Sequence, residues 1–187
     1  MKLGFIGCAG AGKTTLFETL TRSGLDTSQR KESRMCSVQV PDDRVDRLSE
    51  MYRPRKTAFA RVEYLLPAPA LHMREKGGEQ SIWTQVRDCD ALLHVVPNFN
   101  GYGSGDRKPR TEFKAIDQEL ILSDLMVAEK RLERLGLDRK RGKTPSPDEV
   151  KLLEQCAEHL NDARPLRHYP ELAGSPLLRG YAFLSGK

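Results

Sequence analysis

The stretch GCAGAGKTT, Gly7–Thr15, follows directly on the short apolar run KLGFI, Lys2–Ile6. The run suits a buried strand. Gly7, Gly10 and Gly12 then free the backbone, so that successive N–H groups can turn inward around an anion. Thr14, Thr15, Leu16, Phe17 and Leu20 open a helix whose positive N-terminus points at the same place. The spacing G-x-x-x-x-G-K-[ST] is matched in full by Gly7, Gly12, Lys13 and Thr14. A chance match in a glycine-rich turn is the competing reading, and the strand before and helix after weigh against it. The expected ligand is therefore a nucleoside di- or triphosphate held by Gly7, Gly10, Ala11, Gly12, Lys13, Thr14 and Thr15. Lys13 would reach the β- and γ-phosphates, and the Thr14 hydroxyl would sit on Mg²⁺.

Working outward, 187 residues suffice for one α/β domain carrying an insertion. Net charge is +5 with 30% charged residues, basic enough for a polyanionic partner but short of a dedicated nucleic-acid tail. No run of about 18 apolar residues occurs, so no membrane span is expected. The opening MKLGFIG enters a strand without a signal-peptide core. Cys8, Cys36, Cys89 and Cys156 are scattered without a C-x-x-C pair and read as reduced thiols of a cytoplasmic protein. His72, His94, His159 and His168 are equally dispersed and suggest no metal site.

Beyond the first helix, which should end near Gly24, the polar LDTSQRKESR reads as a loop. Strands are expected at Ser37–Val40, Phe59–Leu66 and Ala91–Val96, with helices over PDDRVDRLSEMY and Ser81–Arg87. Strands alternating with helices predict a doubly wound, mainly parallel sheet. Residues 112–165 break the alternation. Ile121, Leu125, Ala128, Leu132 and Leu135 recur at 4-3-4-3 spacing, and Gly136 should end that helix. SPDE, Ser146–Glu149, opens a second helix with an N-cap serine and Pro147 at its first position. Val150, Leu153, Ala157 and Leu160 then continue at 3-4-3. Two such seams joined by a short loop predict an antiparallel helical hairpin; two ordinary amphipathic helices lying on the sheet are the alternative. Its tip holds Arg139, Lys140, Arg141 and Lys143, a cluster suited either to solvent or to RNA. RGYAFLSGK, Arg179–Lys187, is expected as a last strand. The division is thus 1–111 with 166–187 for the nucleotide-binding domain, and 112–165 for the inserted arm.

The blocks GKTTLFETLT, VPDDRVDRLSEMYRPRKT, RDCDALLHVVPNF and DQELILSDLMVAEKRLERL followed by VKLLEQC resemble, in order, the YchF/Obg-like ATPase family of translation-factor-type P-loop GTPases. The resemblance implies a Ras-like P-loop NTPase fold with a coiled-coil arm inserted between two strands. It also implies cytosolic ATP or GTP binding and ribosome-associated roles.

The departures from that pattern bear on chemistry. The family's D-x-x-G aligns with Leu66-Pro67-Ala68-Pro69. Leu66 replaces the aspartate that holds the Mg²⁺ water shell, and Pro69 replaces the glycine whose N–H meets the γ-phosphate. The switch-I threonine has no unique counterpart among Thr27, Ser28 and Ser33. The base-reading N-x-x-E and the C-terminal domain would lie beyond Lys187, so the chain is expected to be a truncated or reduced relative. Catalytic residues stay unassigned. Hydrolysis is expected to be slow or impaired, with Glu63, Asp88 and Asp90 as the substitute carboxylates to examine. A non-catalytic module working through its hairpin is the alternative function, and a P-loop kinase the weaker third.

Overall fold

The computed structural model describes residues 1–22, 32–68, 82–99 and 108–187. Four strands, β1 (Lys2–Ile6), β2 (Arg34–Gln39), β3 (Arg61–Leu66) and β4 (Ala91–His94), form one sheet in the order β2-β3-β1-β4. β1 runs parallel to both β3 and β4, while β2 pairs antiparallel with β3 at the edge. The mainly parallel α/β sheet expected from the sequence is the one found. Helices α1 (Lys13–Thr21), α2 (Asp43–Tyr52) and α3 (Ile82–Val86) connect the strands.

The central strand is apolar because it is covered on both faces. Period-2 alternation sends Phe5 to one side and Ile6 to the other. Phe5 meets the Phe17 ring of α1 edge-to-face at 5.9 Å and Tyr64 at 6.0 Å, with Leu66 completing that cluster. Ile6 packs with Leu65, Val86 and Leu184, and with Ile116 and Leu120 from the next helix.

That next helix, α4 (Pro109–Lys140), is 32 residues long and is followed by α5 (Pro147–Asn161). Pro109 and Pro147 each stand at the start of their helix, and the Ser146 hydroxyl accepts from the Glu149 N–H. All nine seam residues fall in one cluster: Ile121, Ala128, Leu135, Leu153 and Leu160 are buried, and Leu125, Leu132, Val150 and Ala157 pack against them. Cys156, fully buried, joins them.

Two expectations are corrected. Gly136 does not end α4; the helix runs through it to Lys140, and Gly142 takes the left-handed turn at φ 81°. One helical glycine costs about 1 kcal/mol against alanine, less than the burial of the adjacent Leu135 returns. Nor is Arg179–Lys187 a strand. It forms a 3₁₀ turn at Arg179–Tyr181 and passes through Ala182 at φ 49°. The reason is Asp124 of α4, fully buried, whose carboxylate accepts from the backbone N–H of Leu184 at 2.9 Å and of Ser185 at 2.6 Å. A side chain takes the donors that a strand partner would have used. Arg87, just past α3, donates to the same carboxylate at 3.2 Å and to the Ser123 hydroxyl at 2.7 Å. Burial pushes the Asp124 carboxyl above its usual range even against these donors.

The base of the helical pair is therefore not isolated from the rest of the chain. Leu166, Leu172, Leu178 and Phe183 of the following segment bury against it. Arg131 of α4 donates to Glu149 of α5 at 2.8 Å and to the Tyr181 hydroxyl at 3.0 Å, and Tyr181 in turn donates to Glu149.

Candidate functional site

The phosphate-loop residues sit where β1 ends, in the middle of the sheet and beyond the carboxyl ends of three parallel strands, the usual binding edge of such sheets. Gly7, Gly10 and Gly12 all have positive φ, at 137°, 71° and 95°. Gly7 is doubly constrained: a Cβ there would stand 2.4 Å from the Val95 carbonyl oxygen. Ala11 is buried, which fixes the inner wall of the turn. Gly12 is the N-cap of α1 and accepts from the Leu16 N–H at 2.9 Å, so the first N–H groups of the helix stay directed at the loop. No side chain caps α1, which leaves those donors for a ligand.

Lys13 arches back over the loop, donating to the carbonyls of Gly7 and Cys8 at 2.7 Å each. Burial lowers its ammonium below the ordinary lysine value, and the neighbouring Cys8 opposes that shift. The Cys8 thiol is pushed up, by burial first and then by the Glu112 carboxylate that it bonds. Both influences favour the neutral thiol. Thr14 and Thr15 are exposed at the start of α1 or nearly so, facing the open side of the loop.

These residues line a cleft of about 720 Å³ that the sheet, α1, α3 and the first turns of α4 enclose. The cleft brings together Gly7, Gly10, Lys13, Thr14 and Thr15 from the expected set. It also holds residues that the sequence did not single out: Glu18, Glu32 and Arg34 on one side, Trp83, Ile116 and Glu119 on the other. Arg34 lies 5.1 Å over the Phe17 ring and pairs with Glu18 at 3.0 Å. No spacing rule marks Arg34, which opens an edge strand, and Glu119 lies in a helix whose sequence signal is its apolar seam.

Leu66 also lines the cleft, yet its side chain is 7% exposed and packs with Phe5 and Phe17. At the position where the resemblance implies a metal-bound carboxylate, the chain builds core. Pro69, the companion departure, lies outside the described residues, as do Thr27, Ser28 and His72, while α1 ends at Thr21 with Arg22 as its left-handed cap, ahead of the expected end near Gly24. The candidate substitute carboxylates are on the wrong edge. Glu63 is level with Lys2, and the Asp90 carboxylate accepts from the Lys2 N–H at 2.6 Å, so both lie at the start of β1. Asp88 precedes the start of β4. Parallel strands put their starting ends together, about 16 Å from Gly7 at 3.3 Å per residue.

The donor set fits a polyphosphate: turned glycines, an uncapped helix N-terminus and one ammonium. For Mg²⁺ it offers the Thr14 hydroxyl, and β3 contributes no carboxylate. Among the described residues, no group of three or more His, Cys, Asp or Glu could hold a metal ion. His94 stacks on Phe113 and His159 on Tyr169, far apart in the fold. No described helix is long and apolar enough to cross a membrane.

The chain is similar to the ribosome-binding ATPase YchF of Escherichia coli O157:H7, 31% identical over 177 residues that cover 89% of this chain and 48% of that protein. It is similar to the protein of the same name from Bacillus subtilis, 29% identical over 88% of the chain and 48% of the relative. The Pasteurella multocida counterpart is 29% identical over 100% of the chain and 54% of its own length. The chain thus spans about half the length of the curated relatives it matches. No protein-family model matches it. In fold it superimposes on the Schizosaccharomyces pombe YchF GTPase with a TM-score of 0.72 at 24% identity, over 100% of this chain and 54% of that one.

Proposed function

We propose that this chain, a YchF-like family member, binds a nucleoside di- or triphosphate, ATP or GTP with Mg²⁺, through Gly7, Gly10, Ala11, Gly12, Lys13, Thr14 and Thr15, and hydrolyses it slowly or not at all. The observation that carries the reading is the loop itself. Its three glycines hold positive φ, α1 opens uncapped beneath it, and the Lys13 ammonium stands at the mouth of a cleft of nucleotide size. Binding exchanges the two carbonyl acceptors of Lys13 for phosphate oxygens, while backbone N–H groups and the helix dipole take up the remaining negative charge. Mg²⁺, when bound beside Thr14, neutralises charge on the β- and γ-phosphates.

Slow turnover follows from Pro69, which has no N–H to donate to the γ-phosphate, and from Leu66, whose missing carboxylate adds to that loss. Phosphoryl transfer depends on positioned charge, and losing one oxyanion-type donor alone costs about 2.7–4 kcal/mol, on the order of 10²–10³ in rate. In this reading residues 1–111 and 166–187 form the nucleotide-binding domain, and 112–165 an arm that works in the cytoplasm. Arg139, Lys140, Arg141 and Lys143 at its tip contact the ribosome or another RNA; the names of the bacterial relatives support this. A second reading, a non-catalytic nucleotide-binding module acting through the arm, is favoured by the core role of Leu66.

Isothermal titration of wild type and Lys13→Ala with ADP, ATP and GTP tests the first reading. Lys13→Ala is expected to lose most of the affinity and to melt like wild type. Equal affinities in the two proteins would overturn the site.

A further inference from the structure

The segment Met51-Tyr-Arg-Pro-Arg-Lys56, the end of α2 and the turn that follows it, is not used by the nucleotide site. Asp42 caps α2 by accepting from the Arg44 N–H at 3.0 Å, and the helix is strongly two-faced, yet none of its residues is buried. Asp43, Asp46 and Glu50 share one side at 3-4 spacing. Leu48, Met51 and Tyr52 share the other, while Arg47 stands one turn from both Asp43 and Glu50 on the acidic side. Leu48, Met51 and Tyr52 are 53%, 68% and 75% exposed. Arg53, Pro54, Arg55 and Lys56 are all exposed too. Among the described residues, none of Arg47, Arg53, Arg55 and Lys56 is in an ion pair; the cation that is paired here, Arg44, pairs with Asp42 at 3.0 Å.

The display is held in shape. Arg53 takes a left-handed conformation at φ 42°, with its N–H donated to the Ser49 carbonyl at 2.9 Å. The Ser49 and Thr57 hydroxyls bond across the turn at 2.6 Å, and Pro54 fixes the backbone between them. A left-handed residue is a common way to end a helix, and here it closes α2 immediately after Tyr52. Three cations outside any ion pair, in the turn that follows the helix, stand next in the chain to an exposed aromatic ring and combine a backbone-tracking charge with a stacking platform.

We propose that Tyr52, Arg53, Arg55 and Lys56 form an RNA-contact surface, additional to the hairpin tip, that takes a single-stranded segment with one base stacked on Tyr52. The inference rests on the RNA-linked part of the reading above and not on nucleotide binding. An anionic membrane fits less well, because the polar face of α2 carries Asp43, Asp46 and Glu50 where such a helix needs cations. An acidic protein would use the charges but leave the ring without a planar partner.

The test is fluorescence anisotropy of a labelled oligouridylate across a salt series. It compares wild type, Arg53→Ser/Arg55→Ser/Lys56→Ser, Tyr52→Ala, Tyr52→Phe, and the four tip cations changed to Ser. All these side chains are exposed, so the variants should melt like wild type. The triple variant is expected to flatten the salt slope by about 2, from three lost phosphate contacts on a single strand. Tyr52→Ala should weaken binding about fivefold or more, and Tyr52→Phe should restore it. Loss in the tip variant with the triple variant binding like wild type would overturn this surface and leave the tip reading standing. Loss in the triple variant with the tip variant unaffected supports it. Wild type that ignores the RNA, or binds polyglutamate instead, would also overturn it.

Discussion

Replacing Leu66 by Asp sets its packing role against the metal role that its position suggests. The side chain is 7% exposed and packed with Phe5 and Phe17, so removing it opens a gap in the cluster that anchors α1 to the sheet. Leu-to-Ala changes in such places cost about 2–5 kcal/mol. Aspartate fills part of the gap, and because Leu66 also lines the cleft, its carboxylate can stay hydrated on that side. The full cost of an isolated buried ion therefore does not apply. A net loss of about 2–4 kcal/mol is expected, which lowers Tm by about 4–16 °C in a chain of this size. Total stabilities of about 5–15 kcal/mol leave the variant folded at room temperature. Linkage then supplies the second half of the test. If the restored carboxylate holds Mg²⁺, saturating Mg²⁺-ATP should recover about 2–3 kcal/mol in the variant. Its Mg²⁺-dependent rise in Tm should exceed that of wild type. Calorimetric melts with ATP alone, Mg²⁺ alone and both together separate the two effects. A variant melting within about 2 °C of wild type, under 1 kcal/mol, would refute the packing role. Equal Mg²⁺-dependent shifts in both proteins would refute the metal role.

Asp124→Ala leaves the Leu184 and Ser185 N–H groups without their acceptor and Arg87 without its carboxylate. Breaking a buried pair of this kind costs about 3–5 kcal/mol, and urea unfolding should show that loss with an unchanged m-value. Tyr181→Phe removes the largest influence holding the Glu149 carboxyl below its usual range; Arg131 also holds it down. A depressed carboxylate stabilises the fold above its unfolded pKa, and that contribution is lost as pH falls through the folded value. The difference in Tm between wild type and Tyr181→Phe should therefore be full at neutral pH and close in acid; a constant difference would show that the hydroxyl acts by packing alone. Changing Arg139, Lys140, Arg141 and Lys143 to Ser should weaken co-sedimentation with ribosomes and flatten its salt dependence without altering ATP titration; unchanged sedimentation at two salt concentrations would leave the tip as a solvated turn.

The phosphate loop and the helical seams were legible because both are local. Gly7 to Thr14 is a contiguous spacing, and the seam from Ile121 to Leu135 is a period that any helix must honour. What stayed hidden depends on partners far along the chain. Nothing in the sequence around Leu184 announces that its N–H is taken by a carboxylate 60 residues upstream. The apolar GYAFL therefore reads as a strand. Gly136 misleads for the opposite reason: a local breaker signal loses to the burial of Leu135 beside it. Arg34 and Glu119 reach the cleft through strand order and helix placement, which single-residue patterns do not encode.

The same placement bears on how the proposed site could work. With β3 supplying Leu66, the carboxylates on the cleft wall come from elsewhere: Glu18 of α1, Glu32 ahead of β2 and Glu119 of α4. Glu18 is occupied by Arg34 at 3.0 Å. Glu119 belongs to a helix that runs unbroken from the cleft wall at Ile116 to the basic tip at Arg139 and Lys140. Between Glu119 and Arg139 that is about 30 Å of continuous helix at 1.5 Å per residue. A continuous, seam-packed helix moves as one body, and its base is clamped through Asp124 to Arg87 and to the segment around Leu184. Cleft wall and tip are thus parts of one helix with no break between them, and the Asp124 clamp fixes where that helix leaves the sheet.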